Sequence, residues 1–328
     1  MELVLVTGAA GFLGRHLVAQ LCDEAVAVRG LDLQPRPAGL DSAVDWVQGS
    51  ILDDDARQRA CRGVSHLFHL AGYPHLWARN AATFERVNRQ GTVAMLESAK
   101  AARVTRFITT ASETVFLGPD AKGTTIDETT PLPPVDALAG PYARSKARAD
   151  RAVGAAGEEG LEVVRVYPTL ITGPNDLNVT PPQRMIADFI TGKAPAYLEC
   201  HLNVVGVTDV AAGLVRAARH APSGSQYILG GENLWLSEIL RKLEAITGKR
   251  LARTAIPGWV ALAAGRVKET IANLTGKPPQ ASVEGVRLAL RSTAFSNAKA
   301  QNELGLSVTP ADTVLSEAVR WLHDAGLS

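Results

Sequence analysis

The sequence feature that most constrains the fold is a glycine-rich segment at residues 7–14, which reads TGAAGFLG. It directly follows a short apolar run typical of a buried strand and leads into a stretch with helical spacing. Gly8 permits a sharp turn, Gly11 lets a pyrophosphate approach the backbone, and Gly14 allows the helix to pack closely on the strand. The N-terminus of that helix offers free N–H groups and a positive dipole end to a phosphate. The segment therefore favours dinucleotide binding over an ordinary strand–helix turn.

The first half of the chain alternates apolar, strand-like runs with stretches of helical spacing. The runs are residues 3–6, 26–31, 44–47, 66–70, 106–110 and 161–167, and the clearest helical stretches are 12–22 and 84–102. Buried runs that alternate with helices predict an α/β fold, a Rossmann-type doubly wound parallel sheet with helices on both faces.

The pattern changes after about Thr169, where turn clusters become frequent. Helical spacing returns at 236–247, 281–291 and 311–325, and residues 226–229 read as a strand. We predict a dinucleotide-binding domain at residues 1–168 and a smaller, mostly helical substrate-binding lobe at 169–328. The chain is expected to cross between the two lobes more than once.

The charge balance and the cysteines narrow the class of protein. Lysine plus arginine number 34 and aspartate plus glutamate 33 in 328 residues, a formal net charge of +1, which argues against a nucleic-acid binder and against a disordered, highly charged chain. The three cysteines, Cys22, Cys61 and Cys200, are far apart, and the histidines show no metal-binding spacing, so we expect reduced thiols and no metal site. Without a targeting segment or a run of about 18 uncharged apolar residues, we expect a cytoplasmic protein with no membrane span.

An acidic residue, Asp32, ends the second predicted strand. A carboxylate here can accept hydrogen bonds from both hydroxyls of the adenosine ribose and would repel a 2′-phosphate, so it favours NAD over NADP. The alternative is an aspartate that only caps a turn. Arg36 lies four residues further on and is able to reach a 2′-phosphate, so NADP stays open as the less favoured cofactor.

Tyr142 and Lys146 lie four residues apart in the segment YARSK, so on a helix they share one face. A cation beside a phenol stabilises the phenolate, so we expect a lowered pKa of Tyr142, suited to acid/base chemistry near neutrality. Ser112 follows the fifth strand, where parallel sheets bind ligands, and can donate a hydrogen bond to a substrate oxygen; Thr114 is the reserve candidate. The alternatives are a solvated helix face and a local hydroxyl-to-backbone bond.

In their order along nearly the whole chain, these features resemble the extended short-chain dehydrogenase/reductase superfamily, in its NAD-dependent epimerase/dehydratase group. The segments that carry the resemblance are TGAAGFLG at 7–14, Asp32, QGSILD at 48–53, HLAG at 69–72, VNRQGT at 87–92, Ser112, YARSK at 142–146 and YPTLITGP at 167–174. The sequence after the sixth strand is similar to the dihydroflavonol-reductase-like branch, whose substrates are often lipophilic alcohols or ketones. Residues 227–240, 274–279 and 295–306 are most similar to hopanoid-associated sugar epimerase-like proteins.

The resemblance implies a role for each matching position. Ser112, Tyr142 and Lys146 form the catalytic set. The implied cofactor-binding residues are Gly8, Gly11, Phe12, Leu13, Gly14, Asp32, Leu33, Ser50, Ile51, Leu70, Ala71, Gly72, Asn88, Thr110, Tyr142, Lys146, Pro168 and Thr169. The implied substrate contacts are Tyr73, Ser112, Glu113 and Thr114. Ser50 departs from the aspartate that many relatives direct toward the adenine, and a homodimer through helices at 84–102 and 142–156 is implied as well.

Three functional hypotheses follow. The first is an NAD(P)-dependent oxidoreductase that interconverts a secondary alcohol and a ketone, with Tyr142 as acid/base. The second is a sugar epimerase that uses the same residues and regenerates its NAD in each cycle, and the third is a non-enzymatic NAD-sensing protein. Net formation of NADH distinguishes the first two. The near-neutral charge offers no cationic field for a highly anionic substrate, which favours the oxidoreductase.

Two further groups of residues leave alternatives open. His66 and His69 flank a predicted buried strand, which favours a structural role. The apolar residues Trp259, Val260 and Val267, with Leu262, fit plain packing, a lid over a pocket, or a surface that touches a membrane.

Overall fold

The computed structural model describes residues 3–251 and 254–327. The strands in these residues are β1 (Leu3–Thr7), β2 (Ala27–Asp32), β3 (Asp45–Gln48), β4 (His66–His69), β5 (Arg106–Thr110), β6 (Thr125–Ile126), β7 (Glu162–Pro168), β8 (Leu170–Thr172), β9 (Ala196–Tyr197), β10 (His201–Gly206), β11 (Gln226–Leu229), β12 (Glu232–Trp235), β13 (Thr254–Ala255) and β14 (Ala294–Phe295).

The α-helices of the described residues are α1 (Phe12–Asp23), α2 (Asp54–Cys61), α3 (Ala82–Phe84), α4 (Gly91–Ala101), α5 (Pro141–Glu158), α6 (Pro181–Ile190), α7 (Val207–His220), α8 (Leu236–Thr247), α9 (Gly258–Thr275), α10 (Val283–Arg291), α11 (Ala298–Leu304) and α12 (Ala311–Asp324). A π-helix, Glu85–Gln90, joins α3 to α4, and short 3₁₀-helices occupy Glu113–Val115 and Val135–Ala137.

Seven parallel strands form the main sheet, in the order β11-β7-β5-β4-β1-β2-β3. The predicted α/β fold with a doubly wound parallel sheet is therefore confirmed. The chain runs from β1 outward in one direction through β2 and β3, then returns to the other side of β1 with β4. This reversal opens a crevice at the carboxyl ends of β1 and β4, where doubly wound sheets bind their ligands.

The strands are apolar on both faces because helices cover both sides of the sheet. On one side Val4 and Val6 pack with α1 and α7 in a core that includes Leu17 and Leu214. On the other side Leu5 packs with α2, α4 and α5 in a second core. Successive residues of β1 thus point into different cores, as the period of a strand requires.

The second half of the chain contributes to both lobes. Strand β11 pairs with β7 at the edge of the main sheet, and the guanidinium of Arg106 in β5 donates to the carbonyls of Ala218 and Ala221 at the end of α7. The remaining elements include a three-stranded sheet, β12-β10-β8, and a core between α6, α8 and α12. Within the described residues, no helix combines the length and the apolar character needed to cross a bilayer.

The predicted helix at 84–102 differs from the structure. It is divided into the π-helix and α4, and the extra residue per turn places Asn88 in the interior, 2% exposed. Such irregular turns frequently occur at functional sites because they redirect one side chain.

We predict that Gly14→Ala strongly destabilises the protein. A Cβ at this position would lie 2.1 Å from the Gly8 carbonyl oxygen, and backbone cannot move aside as a side chain can, so we expect a loss of about 3 kcal/mol or more in the free energy of unfolding. Urea denaturation measures the change. Gly39→Ala is the control, because a Cβ there meets nothing within 4 Å, and equal losses in both variants would contradict the prediction.

Candidate active site

The glycine turn forms the floor of the crevice. Gly8 has φ +70°, and its N–H donates to the Leu31 carbonyl at 2.9 Å. The helix α1 begins directly after Gly11, with no side chain capping it and no acidic residue in its first turn. The first N–H groups, at Phe12 and Leu13, are thus available to a phosphate. The turn fits the pyrophosphate of a dinucleotide in shape and in charge.

Asp32 ends β2 beside this turn. Its Oδ2 accepts a hydrogen bond from the Ala10 N–H at 2.9 Å, and its Oδ1 accepts from the Gln34 N–H at 3.0 Å. The carboxylate is therefore fixed at the crevice edge with acceptor capacity left for ribose hydroxyls. Arg36 is exposed, and its guanidinium donates to the Ser42 carbonyl at 2.8 Å. Leu33 is exposed at the same edge.

A buried chain of hydrogen bonds runs beneath the crevice through His69. Its Nδ1 lies 2.9 Å from Thr7 Oγ1, and its Nε2 lies 2.9 Å from Thr92 Oγ1. Thr7 Oγ1 also accepts from the Ala71 N–H, while Thr92 Oγ1 donates to the Asn88 carbonyl. Burial lowers the pKa of His69 to about 3, with a smaller effect from Lys146. A neutral imidazole with its proton on Nε2 satisfies every group in the chain, which agrees with the structural role predicted for this histidine.

The amide of Asn88 connects this network to the catalytic helix. Its Oδ1 accepts from the Tyr73 N–H at 2.7 Å, and its Nδ2 donates to Ser145 Oγ at 3.0 Å. A Cβ at Gly72 would lie 3.2 Å from Asn88 Oδ1 and 3.8 Å from Lys146 Nζ. Gly72 therefore borders the lysine, and Asn88 holds the backbone after β4 in place.

The three predicted catalytic residues come together at the carboxyl end of β5. Lys146 Nζ donates to the Thr110 carbonyl at 2.9 Å. The Ser112 side chain lies near enough to the Tyr142 hydroxyl to lower its pKa, and Ser112 Oγ accepts from Thr114 Oγ1 at 3.0 Å. Thr114 thus supports Ser112, and the Ser112 proton can be directed toward Tyr142 or a substrate oxygen.

The pKa of Tyr142 shifts in the direction opposite to the predicted one. Burial, with smaller effects of the Glu284 and Glu113 carboxyls, raises this pKa to about 12, and of the causes only the interaction with Ser112 lowers it. The expectation from the Tyr–Lys spacing was wrong because it counted the neighbouring cation and not the loss of solvent. Burial also lowers the pKa of Lys146 to about 8, against a smaller raising effect of Asp150.

Aromatic side chains line the crevice next to Tyr142. The Phe84 ring lies 6.4 Å from that of Tyr142 and 5.4 Å from that of Tyr73, both edge to face. The Tyr73 ring also contacts His75 at 4.9 Å, and its hydroxyl donates to the Trp77 carbonyl. Tyr73 and Phe84 therefore form an apolar aromatic wall beside Tyr142, in which Phe84 is buried behind Tyr73 at 2% exposure.

The remaining predicted cofactor residues lie around the rim of the sheet. Ser50 Oγ accepts from the Leu52 N–H, so it turns the backbone beside the buried Ile51. Leu70 follows β4, with its N–H bonded to the Thr7 carbonyl. Pro168 ends β7, and Thr169 donates from Oγ1 to Asn203 Oδ1 at 2.8 Å.

The second lobe adds a residue that nothing local in the sequence indicated. Glu284, in α10, accepts hydrogen bonds from the N–H groups of Tyr142 and Ala143, at 3.0 and 2.9 Å, and is 4% exposed. It caps the N-terminus of the catalytic helix α5, whose own N-cap, Gly140, has no side chain to do so. A residue 142 positions from Tyr142 is invisible to any short motif.

We predict that Glu284→Ala destabilises the protein, because it leaves two buried N–H groups without an acceptor. Each N–H group left without an acceptor costs about 1–3 kcal/mol of the free energy of unfolding. Glu284→Gln keeps one side-chain oxygen as an acceptor, so its stability should lie between those of the wild type and Glu284→Ala. Denaturant unfolding measures the change. In the control Glu238→Ala, an exposed carboxylate that accepts from the Trp235 N–H is removed, at a cost of about 1 kcal/mol. A loss in Glu284→Ala no larger than that would contradict the capping role.

We also predict a pH dependence from Glu113, whose pKa is raised by burial from 4.5 to about 8. The folded protein binds this proton more tightly than the unfolded chain, so the stabilising contribution is full below pH 4.5 and is lost as the pH rises toward about 8. The free energy of unfolding should therefore fall more steeply with pH in the wild type than in Glu113→Gln. Parallel curves for the two proteins would refute the burial of this carboxyl.

Comparison with known proteins agrees with this geometry. The model of the NAD dependent epimerase/dehydratase family matches residues 4–230, more than half of the chain. A protein of Synechocystis sp. with the provisional name dihydroflavonol 4-reductase is 33% identical over 98% of this chain and 94% of its own. A farnesyl-dihydroquinoline-oxide ketoreductase of Stigmatella aurantiaca is 30% identical over 98% of this chain and 96% of its own.

A solved structure shows the same overall architecture. The crystal structure of gox2253 superposes with a TM-score of 0.84 and 31% identity, and covers 100% of this chain and 99% of that one. The chain therefore belongs to the NAD-dependent epimerase/dehydratase family of the extended short-chain dehydrogenases/reductases, and is an NAD-dependent enzyme.

Proposed function

We propose that this enzyme is an oxidoreductase that interconverts a lipophilic secondary alcohol and the matching ketone. The observation that carries the proposal is the grouping of Ser112, Tyr142 and Lys146 at the end of β5, beside the apolar wall of Tyr73 and Phe84. The names of several relatives support the substrate class. They include the Stigmatella ketoreductase and 3-beta-hydroxysteroid dehydrogenases of mycobacteria, the latter 28–29% identical over 78% of this chain.

Each residue has a defined task in the proposed reaction. NAD, when bound, supplies hydride exchange with the substrate carbon. Ser112 donates a hydrogen bond to the substrate oxygen, and Tyr142 transfers the proton to or from that oxygen. With a pKa of about 12, Tyr142 carries its proton at neutral pH, which is the form needed to complete ketone reduction. Lys146, whose Nζ is held by the Thr110 carbonyl, would hold the nicotinamide ribose with its positive charge.

The chain's residues fit the cofactor at three points. The turn around Gly8 and Gly14 holds the pyrophosphate, Asp32 the adenosine ribose, and Lys146 the nicotinamide ribose. Because Asp32 is fixed by Ala10 and Gln34, we propose a preference for NAD over NADP. Ile51, Ala71, Gly72 and Pro168 complete the walls of the cofactor site in this proposal.

Three coarser features belong to the same proposal. Residues 1–168 serve mainly the cofactor and catalysis, and residues 169–328 mainly the substrate, with β11 and α7 returning to the first lobe. A homodimer formed through helices α4 and α5, as the family resemblance implies, is part of the proposal. We place the enzyme in the cytoplasm, with a small molecule as its partner.

We predict that Tyr142→Phe retains NAD binding and loses turnover. Removal of the acid/base lowers kcat by about 10²- to 10⁴-fold, whereas the phenyl ring keeps its contact with Phe84. Isothermal titration with NAD and an NADH assay on sterol-like and aromatic alcohols measure the two effects. Tyr197→Phe, in β9 of the other lobe, is the matched control. Turnover that survives in Tyr142→Phe would overturn the mechanism.

The alternative function, a sugar epimerase, uses the same three residues. The amount of NADH formed per substrate molecule distinguishes it from an oxidoreductase. An oxidoreductase forms one NADH for each alcohol oxidised. An epimerase converts its sugar with no net NADH and keeps the cofactor bound. Conversion of a sugar nucleotide without net NADH would replace the proposed function.

A further inference from the structure

The outer face of α9 carries an unusual run of exposed apolar side chains. We call it the α9 stripe; it consists of Trp259, Ala263, Val267, Ile271 and Leu274. Their spacing of four, four, four and three residues aligns them on one side of the helix. Trp259 is 74% exposed, Val267 60%, Ile271 54% and Leu274 80%. Of the nine large apolar side chains that are exposed in the described residues, these four share a single helix.

The opposite face of α9 is the one that packs on the protein, and it does so with small residues. Ala261, Gly265 and Ala272 are buried there, and Glu269 accepts from the Val283 N–H of α10 at 2.8 Å. A surface helix normally turns its large apolar residues toward the core. In α9 they face outward, so packing of the fold does not account for them, and an exposed apolar patch of this kind marks a surface that binds something.

We propose that the α9 stripe docks the enzyme on an anionic phospholipid bilayer. The helix lies in the plane of the interface, with the stripe inserted among the lipid chains and Trp259 at the level of the headgroups. This assignment goes beyond the proposed function, and only its link to a lipophilic substrate rests on that function.

The charges around the stripe fit anionic lipid. Arg266 is exposed along one edge of the stripe, and Lys277 is exposed just beyond the end of α9. The acidic residue of α9, Glu269, is turned away toward α10. Each cation near an anionic surface adds to the attraction. A second copy of the chain on the same face would instead bring like charges together across a two-fold axis.

The position of α9 connects this surface to the active site. Asn273, on α9, accepts a hydrogen bond from Trp77 Nε1 at 3.2 Å, and the Trp77 carbonyl accepts from the Tyr73 hydroxyl. Tyr73 belongs to the aromatic wall that leads through Phe84 to Tyr142. A lipophilic substrate dissolved in the bilayer would therefore lie on the side of the protein from which these contacts lead to Tyr142.

Vesicle flotation tests the proposal with the full-length protein. The probes are phosphatidylcholine vesicles with and without phosphatidylglycerol. We expect the wild type to float with the anionic vesicles and less with the neutral ones. Trp259→Ser should lower the partition coefficient about tenfold, since one large apolar side chain no longer transfers from water into the bilayer. Arg266→Glu should weaken binding to anionic vesicles only.

Two matched variants serve as controls. Trp235→Ser removes a tryptophan that is 45% exposed outside the stripe, and Arg241→Glu reverses a charge on α8 that is 72% exposed; neither should alter flotation. NAD affinity, measured by titration, should be unchanged in all four variants, so a failure of the proposed catalytic function leaves this test intact. A wild type that stays unbound, or stripe and control variants that float equally, overturns the proposal. The proposal is also overturned if the wild type binds no vesicles and instead forms a dimer that Trp259→Ser dissociates.

Discussion

The close approach of one helix to one turn determines where the reactive groups lie. Gly14 of α1 packs against the Gly8 carbonyl, and the backbone of Ala71 packs against Gly8 from the other side, so that even a methyl group at either glycine would collide with backbone. This contact fixes the spacing between β1, α1 and the segment after β4. Asp32 reaches the turn through the Ala10 N–H, and the other proposed cofactor-binding positions depend on the same geometry. A loss of this packing would therefore move the floor of the crevice and its ribose-binding edge together.

The catalytic helix is held by two buried carboxylates that act at different points along it. Glu284 caps its N-terminus from the second lobe. Asp150, within the helix, accepts from the Tyr167 hydroxyl at 3.0 Å and from Arg165 at 3.1 Å. Both charges also act on the catalytic residues, because Glu284 raises the pKa of Tyr142 and Asp150 raises that of Lys146. The groups that fix the helix thus also contribute to the pKa values of Tyr142 and Lys146, although burial is the larger cause of both shifts.

Local patterns predicted most of the fold, because they report local physics. The helix at 236–247 is observed as Leu236–Thr247, and the ends of the main strands lie within one residue of their predicted bounds. Local patterns could not predict the hydrogen-bond network through His69 or the helix cap by Glu284, because the hydrogen-bonded partners are 62 and 142 residues apart in the sequence. They also could not predict the direction in which the pKa of Tyr142 shifts, because burial is a property of the folded chain and not of the spacing between two residues.

Burial at the site favours the neutral forms of its ionisable side chains. The same preference bears on the kind of substrate that the site and the nearby surface can bind. Burial keeps Tyr142 protonated, raises the pKa of Glu113 to about 8 and lowers that of Lys146 to about 8. A pocket that penalises charge in its own residues also penalises it in a substrate, since the cost of desolvation is the same. A nucleotide sugar with two phosphates would require cations to offset that cost, whereas a neutral alcohol or ketone would not. The apolar wall at Tyr73 and Phe84 and the exposed α9 stripe therefore agree with the substrate class that we propose, a neutral molecule that favours lipid over water.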